Sequence, residues 1–161
     1  ELLNFAYLQM DKTTLLGSGG TSKVYRGRYK NQPVAVKLLF VIDITIDVIQ
    51  RCVAEAHVLS LFADSPNVVR CYGVVVLPPC VAIVLELCGN GSLFDVLSRM
   101  NTPSDWQWPR RVAMCIGAAK GLHELHSANI CHRDLKSMNF LVGDEFIVKI
   151  ADLELVSEED T

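Results

Sequence analysis

Eight residues, His132-Arg133-Asp134-Leu135-Lys136-Ser137-Met138-Asn139, carry four charged or titratable side chains and an asparagine between two apolar stretches. Charged groups are costly to remove from water, so this segment predicts a loop presented by core elements on either side. Before it, helical spacing runs from about Arg110 to His126 and is expected to bury Val112, Ile116, Ala119, Leu122 and the stem of His126 on one face. After it, Phe140-Leu141-Val142 and Phe146 to Ile150 read as short strands around a Gly143-Asp144 turn.

The first half of the chain has a different period. Leu15-Leu16, the run Gly17-Ser18-Gly19-Gly20, and Lys23 to Gly27 read as a hairpin of two strands with a glycine-rich tip. Pro33 to Phe40 is a β-branched run, hence a third strand. From Ile46 the recurrence of Val48, Cys52, Glu55, Val58 and Leu59 predicts a helix to about Phe62, ended by Asp64-Ser65-Pro66-Asn67. Strands around Val68 to Val76 and Val81 to Leu87 follow, separated by Pro78-Pro79. Ser92 then caps a short helix from Leu93 to about Arg99. Five strands with one helix, then mainly helix, give an α+β chain in two parts. The expected division is 1–85, a connecting stretch 86–91, and 92–161.

The 161 residues are half apolar, one fifth charged, and carry a net charge of −3. That suits a globular domain with a sizeable core. It gives no reason to propose nucleic acid or an anionic membrane as partner, since no run of five basic residues occurs. The longest apolar stretch is broken by Pro78 and Pro79 and is too short to cross a bilayer. The six cysteines have no C-x-x-C spacing, and most lie in apolar runs, so reduced core thiols of a cytoplasmic protein are expected.

Two further features matter jointly. Gly17 to Val24 fits G-x-G-x-x-(G)-x-V, with Ser22 at the third glycine; glycines there let backbone amides approach phosphates. Lys37 closes Val34-Ala35-Val36-Lys37, where a lysine is ordinarily a snorkelling surface group. Glu55, however, lies eighteen residues further on, mid-helix among apolar neighbours. A glutamate on such a face needs a cation, and Lys37 is the candidate.

In this order, the glycine loop, V-A-V-K, a helix glutamate, H-R-D-L-K-x-x-N and Asp152-Leu153-Glu154 resemble the protein kinases over nearly the whole chain. The L-K-S-x-N form, with Val84-Leu85-Glu86-Leu87-Cys88-Gly89-Asn90-Gly91-Ser92-Leu93, looks most like the tyrosine-kinase-like group, which acts mostly on serine and threonine. The resemblance implies a two-lobe fold, with a five-stranded antiparallel N-lobe sheet, a hinge at 86–91 and the first, mainly helical part of the C-lobe. It implies ATP and magnesium as cofactors, a protein serine/threonine hydroxyl as acceptor, and signalling as the setting. Asp134 would orient the hydroxyl and accept its proton, Lys136 would neutralise the moving phosphoryl, and Asn139 and Asp152 would hold the metal. Gly17, Ser18, Gly19, Gly20 and the Lys37–Glu55 pair would hold the phosphates. The backbone of Glu86 and Cys88 would grip adenine between Val24, Ala35 and Leu141, with Leu85 as gatekeeper.

Family domains run to roughly 250–300 residues, so the resemblance also implies that on the order of 100 residues lie beyond Thr161. The helix expected there would cover the long helix and the catalytic loop, and the isolated chain is expected to be inactive. Glu154 departs from the family's glycine. Mixed-lineage kinase-domain-like pseudokinases share that glutamate and resemble the Pro78-Pro79 region, but lack the aspartate that Asp134 supplies. A nucleotide-binding or protein-interaction switch without catalysis is therefore the alternative.

Overall fold

A computed structural model describes residues 1–19, 22–39, 45–77, 80–99 and 107–153. Their contacts divide into two units, the described residues of Glu1–Ala63 with Arg70–Leu87, and those of Asp64–Val69 with Cys88–Thr161.

The first unit is built on five antiparallel strands: β1 (Leu8–Ser18), β2 (Ser22–Tyr29), β3 (Gln32–Leu39), β4 (Cys71–Leu77) and β5 (Cys80–Glu86). Their order is β1-β2-β3-β5-β4. Lys30 and Asn31 take left-handed backbone, φ 47° and 68°, which closes the β2–β3 hairpin with the right twist. Val34, Val36, Val75, Ala82 and Val84 make a core on one sheet face, joined by Leu3, Leu8 and Met10. Gly27 is required there, because a Cβ would sit 2.7 Å from the Gln9 carbonyl oxygen. Helix α1 (Ile46–Ser60) begins at Thr45, whose hydroxyl accepts the Val48 N–H, and it packs on β4. It buries Val48, Cys52 and Leu59, as the periodicity read from sequence expects, together with Ala56, which that reading did not name, while Val58 is only half-buried.

The N-terminal residues add an unforeseen piece. Leu3 N–H donates to the Val74 carbonyl, and Val74 N–H to the Glu1 carbonyl, so this segment lies parallel along β4. A short 3₁₀ turn, Phe5–Tyr7, then leads to β1 at the opposite edge of the sheet.

In the second unit, α2 (Leu93–Arg99) starts with a capping box. Ser92 Oγ accepts from Asp95 N–H, and Asp95 Oδ2 accepts from Ser92 N–H. Helix α3 (Trp108–Ser127), with Pro109 in its first turn, leads toward the polar loop, and β6 (Phe140–Val142) pairs with β7 (Val148–Ile150). Val96, Met114, Val142 and Val148 form the core.

Two expectations need correction here. Helix α3 buries Met114, Gly117, Gly121 and Leu125, whereas Val112 and Ile116 are each 49 % exposed, and Ala119 and His126 are exposed too. The cause is close approach. A Cβ on Gly121 would lie 2.4 Å from the Asn67 carbonyl oxygen, so the glycine face, not the bulky one, meets the neighbouring chain. Val68 and Val69, read as the start of a strand in the first unit, belong instead to the second. Val69 N–H donates to Ile150, Ile150 N–H to Asn67, and Asn67 Nδ2 to the Val148 carbonyl. Among the cysteines Cys52 is buried as expected, but Cys115 and Cys131 are exposed.

Candidate active site

In the first unit, β3 delivers Lys37 and α1 delivers Glu55. Lys37 Nζ donates to Glu55 Oε1 at 2.9 Å, and the side chains are only 15 % and 14 % exposed. The sequence-predicted pair is therefore formed. Val24 stands opposite Lys37 and Ala35 opposite Leu85 in the sheet register. Gly17 faces Val24, and a Cβ added to it would meet no atom within 4 Å, so the backbone there is open to approach. Gly19 N–H donates to the Ser22 carbonyl at 2.8 Å, and Ser18 pairs with Lys23. Gly20 lies outside the described residues. Glu86 is fixed from two sides, its N–H donating to the Arg70 carbonyl and its carboxylate accepting from Arg70 N–H at 2.7 Å.

Two thiols border this unit's ion pair without being reactive groups. Burial pushes Cys71 up to about 11, and burial, with the Glu55 charge adding, raises Cys52.

In the second unit, the polar loop is tied from below by His132, which is buried. Its Nδ1 accepts from Asp134 N–H at 3.3 Å, so the proton sits on Nε2, which donates to the Ala151 carbonyl at 2.9 Å. Arg133 and Asp152 both adopt left-handed backbone, φ 63° and 61°. For side chains with a Cβ this costs on the order of 1–2 kcal/mol each. Both bends fall where the chain must turn beside a carboxylate.

Asp134, Lys136 and Asn139 converge. Lys136 Nζ donates to Asp134 Oδ2. Asn139 Nδ2 donates both to the Asp134 carbonyl at 2.8 Å and to its Oδ2 at 3.0 Å. With its amide nitrogen turned to Asp134, Asn139 has its oxygen available as a neutral ligand. The Lys136 hydrogen bond, aided by Asn139, holds the Asp134 carboxyl below its usual range. Asp134 is thus a weak base, suited to aligning a hydroxyl and taking its proton late rather than abstracting it outright.

Ala151 N–H donates to the Asn139 carbonyl at 2.9 Å, which sets Asp152 beside Asn139. Among the described residues no group of three or more His, Cys, Asp or Glu side chains converges. Asn139 and Asp152 offer one carboxamide and one carboxylate, an all-oxygen donor pair. That fits magnesium, which keeps waters and takes its remaining ligands from phosphates. Leu141, on β6, is half-buried and bridges to Ser92; Cys88 is half-buried as well. Glu154 lies outside the described residues, as do Pro78 and Pro79. Sequence reasoning did not anticipate the tie from His132 to Ala151, although a histidine opening a polar loop was its visible signal.

The family model described as protein tyrosine and serine/threonine kinase matches residues 10–161. The chain is 36 % identical over 152 residues to a putative serine/threonine-protein kinase/receptor, R818, of Acanthamoeba polyphaga mimivirus, covering 94 % of this chain and 9 % of that protein. It is 37 % identical over 142 residues to the probable serine/threonine-protein kinase SIS8 of Arabidopsis thaliana, covering 87 % and 14 %. With the Arabidopsis serine/threonine-protein kinase CTR1 it shares 34 % over 142 residues, covering 87 % and 17 %. The chain therefore spans under a fifth of these relatives' length. A match that takes in both the Lys37–Glu55 pair and the Asp134 loop leaves one family, and the chain belongs to the protein tyrosine and serine/threonine kinases.

Proposed function

We propose that the protein containing this chain transfers the γ-phosphoryl of ATP to serine or threonine hydroxyls of proteins. The observation that carries this is Asp134, with a partly exposed carboxylate steadied by Lys136 and Asn139. In this reading Asp134 Oδ aligns the acceptor hydroxyl. Its oxygen forms the new bond to phosphorus as the bond to the β,γ-bridging oxygen breaks, ADP departs, and the proton passes to Asp134 late in the step. Lys136 shifts from Asp134 toward the phosphoryl as negative charge moves. Lys37, held by Glu55, contacts the α- and β-phosphates, with the amides of Gly17, Ser18, Gly19 and Gly20 over them. Val24, Ala35 and Leu141 sandwich adenine, Leu85 limits the depth of its pocket, and backbone groups of Glu86 and Cys88 pair with its edge. Asn139 and Asp152 would hold magnesium, which when bound offsets phosphate charge.

The test is phosphate transfer from labelled ATP to a serine/threonine peptide library by the full-length protein and its Asp134→Asn variant. Serine- or threonine-directed labelling that collapses in the variant supports the proposal. Labelling that persists undiminished, or falls only on tyrosine, overturns it. The pseudokinase alternative rests on Glu154, and it predicts no labelling by either protein.

A further inference from the structure

The chain leaves the first unit after Ala63 and re-enters it at Arg70, and one side chain closes that gap. Past Ser60, where α1 ends, Leu61, Phe62 and Ala63 continue in tighter turns. Their N–H groups donate to the carbonyls of Val58, Leu59 and Ser60 at 3.1, 3.2 and 3.3 Å. The last carbonyls of a helix lack an N–H of their own helix, and together they carry partial negative charge. Arg70 answers both needs. Its Nε and Nη2 donate jointly to the Ala63 carbonyl oxygen, at 2.9 and 2.7 Å.

The guanidinium reaches out from a backbone that is itself fixed. Arg70 N–H donates to the Glu86 carboxylate at 2.7 Å, and Glu86 N–H donates to the Arg70 carbonyl at 2.9 Å. The next residue, Cys71, opens β4 opposite Leu85. Strand β5 in turn pairs with β3, setting Glu86 opposite Val34 and Ile83 opposite Lys37. Helix α1 is therefore tied to this sheet at two points. One is Glu55 on Lys37 of β3, and the other is Ala63, eight residues on, against the residue that leads into β4. At the helical rise these ties stand roughly 12 Å apart along the axis. A single tie fixes one point and leaves the helix able to pivot about it, whereas two fix its direction. The Lys37–Glu55 bond, at 2.9 Å, tolerates a shift of only about 0.3 Å before it leaves the hydrogen-bonding range.

We infer that Arg70 is a positioning residue for the phosphate grip: by seating the end of α1 on the sheet it keeps Glu55 in register with Lys37. It touches neither nucleotide nor metal and acts only through Glu55. The inference rests on the reading of Lys37 as the contact to the α- and β-phosphates, and it adds a residue outside that contact on which the contact depends.

The test compares the full-length protein with Arg70→Met, which keeps the apolar stem and removes the donors, with Arg70→Lys, with Glu55→Ala, and with Arg70→Met/Glu55→Ala. Calorimetry with magnesium-ATP and with adenosine separates the phosphate end of the site from the ring end. Arg70→Met is expected to weaken ATP about three- to tenfold, the worth of one charged contact at a helix end, and to leave adenosine unchanged. Arg70→Lys, with one donor for the same carbonyl, should recover part of the loss. In the Glu55→Ala background Arg70→Met should cost less than about twofold more, because the residue through which it acts is gone. An unchanged ATP affinity overturns the inference. So does an equal loss for adenosine, or a loss as large without Glu55 as with it, since either is what a merely structural role gives. Cooperative melting shows that the variants are folded, and if Arg70→Met is not, Arg70→Lys carries the same comparisons. Peptide labelling runs alongside. ATP binding without labelling by the unaltered protein tells against phosphotransfer and leaves the role of Arg70 to the calorimetry, whereas no ATP binding overturns both.

Discussion

Lys37 and Glu55 are separated by eighteen residues and meet only because a strand and a helix are packed together; Asp134, Lys136 and Asn139 find one another within six residues. The first pair is 15 % and 14 % exposed, while Lys136 and Asp134 are 50 % and 35 % exposed. The difference teaches where each site keeps its strength. The ion pair borrows its precision from the tertiary structure and contributes to it in return, because removing either partner takes a hydrogen-bonded counter-charge from a largely buried group. The loop spends local backbone strain at Arg133 and Asp152 to hold groups that remain wet, and so contributes little to stability.

The largest expected effect tests the loop. Asp134→Asn should lower phosphotransfer by about 10²- to 10⁴-fold while the melting temperature stays within about a degree. Turnover assays and scanning calorimetry on the same preparation check both halves. A large loss of stability would erase the contrast with the ion pair.

The ion pair should behave in the opposite way. Glu55→Ala leaves Lys37 without its carboxylate and should cost about 1–3 kcal/mol of unfolding free energy, read from urea midpoints. Lys37→Met should weaken ATP binding in calorimetry, by roughly tenfold for one charge-assisted contact. Adding Glu55→Ala to Lys37→Met should cost less stability than Glu55→Ala alone, since no charge is then stranded. Additive losses would show that the two residues do not act as a pair.

The smallest effect compares two exposed carboxylates. Asp11, held chiefly by the Thr13 hydroxyl and then by Thr14, is pulled down to about 2, whereas Asp134 is lowered first by Lys136. Both folded pKa values lie below the unfolded one. Each therefore contributes stability above the ordinary aspartate range, near pH 4, and loses it as pH falls through the folded value. For Asp11 that window is about pH 4 to pH 2. Molar salt shortens the Debye length to roughly 3 Å, which should return Asp134 toward its ordinary value and leave Asp11, bonded to neutral hydroxyls, almost unmoved. Carboxyl-carbon NMR titrations at low and molar salt measure both, and equal salt sensitivity would remove the distinction.

Much of this was legible in residue pattern. The pattern of β2, the β-branched run of β3, the α1 period, and the clash between a glutamate and its apolar neighbours all followed from side-chain chemistry at fixed spacing. The face of α3 was not legible, because periodicity ranks Val112 and Ile116 above glycine as core candidates. What decided the face was how near the Asn67 side chain comes to Gly117 and the Asn67 backbone to Gly121, distances no single helix encodes. Val68 and Val69 misled for a related reason. A β-branched pair predicts extended backbone and burial, both of which are found, but cannot say which unit supplies the partner. The tie between His132 and Ala151 likewise joins residues nineteen apart.

The bridge from Glu1–Leu3 to Val74 also has a mechanical side. Its two hydrogen bonds run parallel along β4, the strand on which α1 packs. Tension applied to the N-terminus along that strand loads both bonds in shear at once, whereas tension directed away from the sheet edge peels them in succession. In either direction the force enters through β4 before it reaches β1, so the molecule's first yielding point under load lies at the strand that supports the glutamate-bearing helix.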